Sequence, residues 1–222
     1  MSLKVYIIRD KGTIMNYSKM NQIRSKINNM PSGSVFSISD FTDLADYENA
    51  KKCILRLKNE GLIRRVIRGI YDKPYFSDFL NEFTAPNIEH VAQAIARNYN
   101  WKISPLGLTA LNILGLSTQV PNSYEFYSSG QYKTYQIMGI TINFKHKSSK
   151  ELLDLSYKSS LVVNAIKELG KNIDNKSISI IKGYLNNIEK SILLKETKYV
   201  TKWIYEIIKK ICIDKDKSII SY

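Results

Sequence analysis

Residues 48–72 constrain the fold more than any other part of this 222-residue chain. From Glu48 to Glu60, Ala50, Ile54 and Leu57 recur at helical spacing on one stripe, with Tyr47 and Cys53 at its margins. Glu48, Lys51, Lys52, Arg56 and Asn59 share the opposite side, and Leu55 also points outward. Gly61 stands where helices commonly end in a left-handed residue. Two β-branched runs then flank Arg68-Gly69 between Leu62 and Asp72, which predicts a hairpin bearing Arg64, Arg65 and Arg68.

The preceding residues complete a recognisable order. Tyr17 to Met30 reads as a helix with Met20, Ile23 and Ile27 on one face, stopped by Pro31-Ser32-Gly33-Ser34. Val35 to Ile38 reads as a strand, and Ser39-Asp40 as the cap of a second helix from Phe41 to Ala45. A tight turn at Asp46-Tyr47 leads into the 48–60 helix. Helix, strand, helix, helix and two-stranded wing is the order of a winged helix-turn-helix, expected over residues 17–75. In such a domain helix 48–60 would enter the major groove. Asn49 and Lys52, helped by Glu48, would read base edges; Lys51, Arg56, Arg64, Arg65 and Arg68 would hold phosphates or the minor groove. Ser39, at the cap of the preceding helix, completes the expected DNA-binding set.

Charge supports an anionic partner, although less sharply. Lys and Arg number 33 against 20 Asp and Glu, a formal net charge of +13. A chain rich in Lys, Asn and Ile reaches such a balance from an AT-rich genome alone, so placement matters more than total. Between Tyr17 and Lys73 there are eleven basic and six acidic residues, and the basic ones gather on helix 48–60 and the hairpin. Double-stranded DNA is therefore the expected partner.

Beyond Lys73 the sequence predicts an α+β body. Pro74 to Pro86 reads as a linker whose aromatics, Tyr75, Phe76, Phe79 and Phe83, pack onto a neighbour. Asn87 caps a helix over Ile88–Asn98 that turns Val91, Ala92, Ile95 and Tyr99 inward. Another helix is expected from Pro105, in its first turn, through Leu108, Leu111 and Leu114 to Gly115. Strand-like runs at 124–127, 132–138 and 140–145 suggest a small antiparallel meander, giving an α/β core over 87–147. Ser148-Ser149-Lys150-Glu151 reads as a capping box opening a helix that runs to Leu169 and closes at Gly170. Helices near 176–188 and 196–211 finish a helical tail over 148–222. Residues 1–16 read as a leader outside the fold, and no apolar run approaches a membrane span, so a soluble cytoplasmic protein is expected.

Catalytic chemistry finds little to work with. Cys53 and Cys212 form no CxxC pair, and His90 and His146 stand alone, so neither a disulfide framework nor a zinc site is expected. Residues 74–150 hold only four acids, Asp78, Glu82, Glu89 and Glu125. Glu125 with Lys145 on neighbouring strands is the sole nuclease candidate. No phosphate-cradling glycine motif occurs. Neither cofactor, metal nor enzymatic activity is expected.

Three segments together resemble a known family. They are Pro31 to Phe41, Arg56 to Arg65 and the wing run Arg68-Gly69-Ile70-Tyr71. The run from Ser104 through Leu108 and Leu114 to Pro121 adds the most specific match. Over roughly residues 20–160 the chain resembles the AbiEi-like antitoxins and transcriptional regulators of type IV toxin–antitoxin systems. The resemblance implies an N-terminal winged helix that represses its own operon by binding promoter repeats. It also implies that residues 76–222 form an antitoxin domain. That domain would counter a nucleotidyltransferase-like toxin encoded next door, without a stable complex. Two other readings stay open: a stand-alone regulator, or a protein- or RNA-binding module, which Leu55 and the aromatics Tyr124, Phe126, Tyr127, Tyr132 and Tyr135 would serve.

Overall fold

In a computed structural model, which describes residues 18–119, 121–148 and 155–213, the chain is a mixed α+β protein of helices and small sheets. The leader and residues 149–154 lie outside the described residues.

Helix α1 spans Lys19–Asn29, with the Ser18 hydroxyl accepting from the Asn21 amide. Strand β1, Val35–Ser37, follows and runs into a 3₁₀ turn at Ile38–Phe41. That turn replaces the second helix expected at 41–45 and starts three residues earlier. One Asp40 carboxylate oxygen accepts from both the amide and the hydroxyl of Ser37, drawing the chain into a tight loop before a helix can start. Asp46 then caps α2, Tyr47–Asn59, whose Ala50, Cys53, Ile54 and Leu57 are buried. Strands β2, Arg64–Ile67, and β3, Ile70–Asp72, form the expected hairpin around Gly69, whose φ of +83° suits glycine. The sheet order is β1-β3-β2, antiparallel throughout.

This sheet has two buried faces. Phe36 and Tyr71 turn toward α1 and α2, joining Ile23, Ile27, Ile54 and Leu57. Val35 and Ile70 turn the other way, onto Val91, Ala92 and Ile95 of α3, Ile88–Asn98. Alternation along a strand does this automatically when a second layer is present. Arg97 of α3 fastens the layers, donating to Val35 O at 3.1 Å and to Asp40.

The segment expected as a linker forms its own hairpin, β4, Phe76–Ser77, with β5, Glu82–Phe83. Its aromatics do not pack onto a neighbour; Tyr75, Phe76, Phe79 and Phe83 are all exposed. Tyr99, expected to face inward, is also exposed, because α3 ends there and the chain turns through Asn100 at φ +53°.

Pro105 belongs to a strand. β6, Ile103–Pro105, precedes the short helix α4, Gly107–Ile113. β6 pairs antiparallel with β7, Ser123–Ser128, and β7 pairs in parallel with β9, Ile140–His146. β8, Lys133–Ile137, lies at the edge, antiparallel to β9, so the order is β6-β7-β9-β8. The expected meander would have placed β7 beside β8. Burial decides otherwise: β9 brings Ile142 and Phe144 to the interior beside Phe126, whereas Thr134 and Gln136 of β8 are exposed and suit an edge. The loop 129–132 therefore crosses the end of β9, spanning two strand spacings of about 4.8 Å each.

Helix α5, Tyr157–Leu169, is capped by Ser156, so the described part of the expected 151–169 helix begins later; Glu151 itself is outside the described residues. The tail holds three helices where two were expected: α6, Asn175–Tyr184, α7, Asn187–Glu196, and α8, Lys202–Cys212. The break comes at extended Leu185 and at Asn186, which forms a capping box with Glu189. These helices close over Leu161, Ile166, Ile181, Leu193 and Ile208. No helix among the described residues is long and apolar enough to cross a membrane. Replacing Asn186 with alanine leaves the Glu189 amide, in the first turn of α7, without its acceptor. A loss of about 1 kcal/mol is expected, read as an earlier thermal midpoint, and an unchanged midpoint would deny the cap its role.

Candidate nucleic-acid interface

Burial of its apolar stripe decides what α2 shows to solvent. Glu48, Asn49, Lys51, Lys52, Leu55, Arg56, Lys58 and Asn59 are exposed along one face of the helix. Thirteen residues at 1.5 Å rise make a helix about 20 Å long, enough to lie along one major groove. Lys52 and Arg56 make no ion pair among the described residues, so their charges face water. Lys51 is 3.5 Å from Glu48, an exposed pairing worth little. Asn49 is held by its own cap, donating from Nδ2 to Asp46 Oδ2 at 2.6 Å. That bond, with the Asn49 amide, keeps the Asp46 carboxyl below the usual carboxylate range.

The hairpin divides its three arginines between two tasks. Arg65 is exposed, with Nε 3.4 Å from Ile67 O, and Arg68 is exposed at the tip. Arg64 turns inward. Its Nε and Nη2 donate to Asp72 Oδ1 and Oδ2 at 3.1 and 2.6 Å, and Nη2 also reaches Thr84 O at 2.9 Å. Asp72 is 1% exposed, so this guanidinium neutralises a buried carboxylate and ties the β4–β5 hairpin to β2–β3. Ser39 is likewise engaged, donating to Asn98 Oδ1 of α3 at 3.0 Å. The structure thus gathers Glu48, Asn49, Lys51, Lys52 and Arg56 on one helix face, with Arg65 and Arg68 on the exposed hairpin. Arg64 and Ser39 serve packing.

Two residues outside the expected set form a further cation–aromatic pair. Tyr99 feels the charge of Arg68, and Lys133 of β8 lies 4.6 Å over its ring and donates to its hydroxyl at 3.3 Å. The adjacent ammonium draws the Tyr99 phenol below its ordinary pKa. Lys133 lies 65 positions from Arg68, so no local pattern could have joined them. Glu125, the carboxylate considered for catalysis, accepts from Lys145 at 3.0 Å in an ordinary half-exposed pair. Among the described residues no three His, Cys, Asp or Glu side chains are grouped to hold a metal ion.

The chain matches a family of unknown function (DUF6088) over residues 22–193. No curated protein matches it. Among solved structures it is similar to the crystal structure of RV2827C protein from Mycobacterium tuberculosis. The identity is 10%, the TM-score 0.36, and the alignment covers 86% of this chain and 74% of that one. A likeness this loose carries no argument about fold or function.

Proposed function

The chain belongs to that family of unknown function, and from this premise we propose that it is a DNA-binding transcriptional regulator in which residues 17–75 act as a winged helix-turn-helix. One observation carries the reading: the solvent face of α2 holds Lys51, Lys52 and Arg56 while its other face is buried, and the hairpin that follows exposes Arg65 and Arg68. In this arrangement α2 lies in the major groove, Lys52 and Asn49 meet base edges, and Lys51, Arg56, Arg65 and Arg68 contact phosphates. The resemblance to AbiEi-like antitoxins supports the chain's own promoter as the target. It also supports an antitoxin role for the remaining residues, against a nucleotidyltransferase-like toxin. The inward turn of Arg64 favours leaving it out of the contact set.

Binding to the upstream DNA of its own gene, followed by anisotropy across a salt series, tests this reading. Arg65→Ala and Arg68→Ala should each weaken every site alike and lower the logarithmic salt slope by about one. Lys52→Ala should relax sequence preference at one position. A protein that shifts promoter and scrambled DNA equally, with no change in Lys52→Ala, would instead be an interaction module. Rescue of growth when the chain is co-expressed with a neighbouring nucleotidyltransferase-like protein tests the antitoxin part, and no rescue would reduce the proposal to a regulator alone.

A further inference from the structure

The β4–β5 hairpin stands apart from the rest of the surface. Tyr75, Phe76, Phe79, Leu80 and Phe83 are between 41% and 96% exposed, five large apolar side chains within nine consecutive residues. Phe76 and Phe83 face each other across the strands, ring centroids 5.2 Å apart, so the apolar surface is ordered and continuous. Phe79 and Leu80 extend it over the tip, where the Leu80 amide donates to Ser77 Oγ and Asn81 adopts φ +54°. Arg64 anchors the base of the hairpin through Thr84 O. Scattered apolar residues are normal on a protein surface, but a cluster of large exposed ones in one hairpin marks a contact site.

We propose that this hairpin is the dimerisation arm of the protein, and that its occupant is the same hairpin of a second copy. Charge and area both favour that partner. Residues 74–87 contain two acids, Asp78 and Glu82, and no base, within a chain of net charge +13. An acidic arm is repelled by phosphates and by anionic membranes, and against its own copy the favourable term is how charge is placed along it, acidic at the Asp78 tip and basic at the Lys73 base. In a two-fold, antiparallel contact each tip reaches the other base, bringing Asp78 toward Lys73. The Lys73 ammonium donates to Asn28 O and Met30 O, and neither carbonyl neutralises its charge. The exposed parts of the five side chains amount to at most about 550 Å² per copy, hence an upper bound of about 1,100 Å² for the pair, where specific interfaces begin. Self-complementary patches of this kind close into dimers and do not grow into filaments.

Sedimentation equilibrium of the full chain, across the micromolar range and at two salt concentrations, tests the arm without any DNA. The wild type should self-associate as a dimer. Phe79→Ser should weaken the dimer by more than about tenfold, and because Phe79 is 96% exposed in the single chain the change should leave the far-ultraviolet circular dichroism alone. Asp78→Asn should weaken it less and reduce its salt dependence. A wild type that stays monomeric throughout overturns the proposal and assigns the hairpin to a different protein. A dimer indifferent to Phe79→Ser overturns it too, placing the interface elsewhere.

Discussion

Arg64→Ala is expected to lower the stability of the protein by about 3 kcal/mol, with a fall in thermal midpoint of about 6–12 °C. Two geometric facts set the size. Asp72 is 1% exposed, and its two carboxylate oxygens meet Nε and Nη2 of a single guanidinium. Truncation leaves a carboxylate buried without its counter-charge, and such a group costs far more than a lost surface pair. The guanidinium is itself 27% exposed, so water can reach part of the gap, which places the figure at the low end for broken buried pairs. Restoring neutrality gives the control: in Arg64→Ala with Asp72→Asn the orphan charge is gone, and much of the loss should be recovered. Chemical denaturation reads both. Should the single change cost less than about 1 kcal/mol, as a surface pair would, Arg64 belongs with the outward arginines after all.

Gly130→Ala should be comparably damaging, by about 2–3 kcal/mol, for a steric reason. A Cβ at this position would lie 2.0 Å from Trp101 Cε2 and 2.3 Å from Cδ2 and Nε1, against the middle of the indole and not its edge. Trp101 has little freedom to withdraw. It stacks on Tyr99 at 4.8 Å and meets Phe144 edge-on at 5.7 Å. The loop cannot rise either, because the Gly130 amide donates to Ser128 Oγ and its carbonyl is 2.7 Å from His146 Nδ1. Tryptophan emission, measured in a Trp203→Phe background so that Trp101 alone reports, should shift together with the melting midpoint. An alanine variant with wild-type emission and midpoint would mean that the loop does not press on the indole.

The features legible in the sequence were those written in short-range periodicity. The stripe Ala50, Ile54, Leu57 gave α2 within one residue at either end, and Arg68-Gly69 gave the turn of the β2–β3 hairpin. The inward turn of Arg64 was not written locally: counting back from that turn sets Arg65 opposite Asp72, and only a bulge between Arg65 and Ile67 shifts the register so that Arg64 meets the carboxylate. The Asn186 to Glu189 capping box, by contrast, is a local signal. The remainder depended on contacts between distant segments. Nothing in residues 123–146 taken alone says that β9 enters between β7 and β8, since the choice is made by which strands the α3 side of the core can cover. The contact of Lys133 with Tyr99 is of the same kind. For the candidate interface, residue types were readable but their division between outward and inward roles was not.

The inserted position of β9 also orders events in time. β8 and β9 are joined by Met138-Gly139, both at positive φ, the conformation preferred by two-residue hairpin loops, so they can pair locally within microseconds. β7 is next to β8 in sequence yet meets the β8–β9 pair by aligning in parallel with β9, which requires the 129–132 crossing to close. Parallel, non-local pairing comes at the end of such a sequence because its loop entropy is lost before its contacts are gained. The Gly130–Trp101 contact is therefore expected to close last, so Gly130→Ala should speed unfolding and leave the refolding rate nearly unchanged, as stopped-flow kinetics would read.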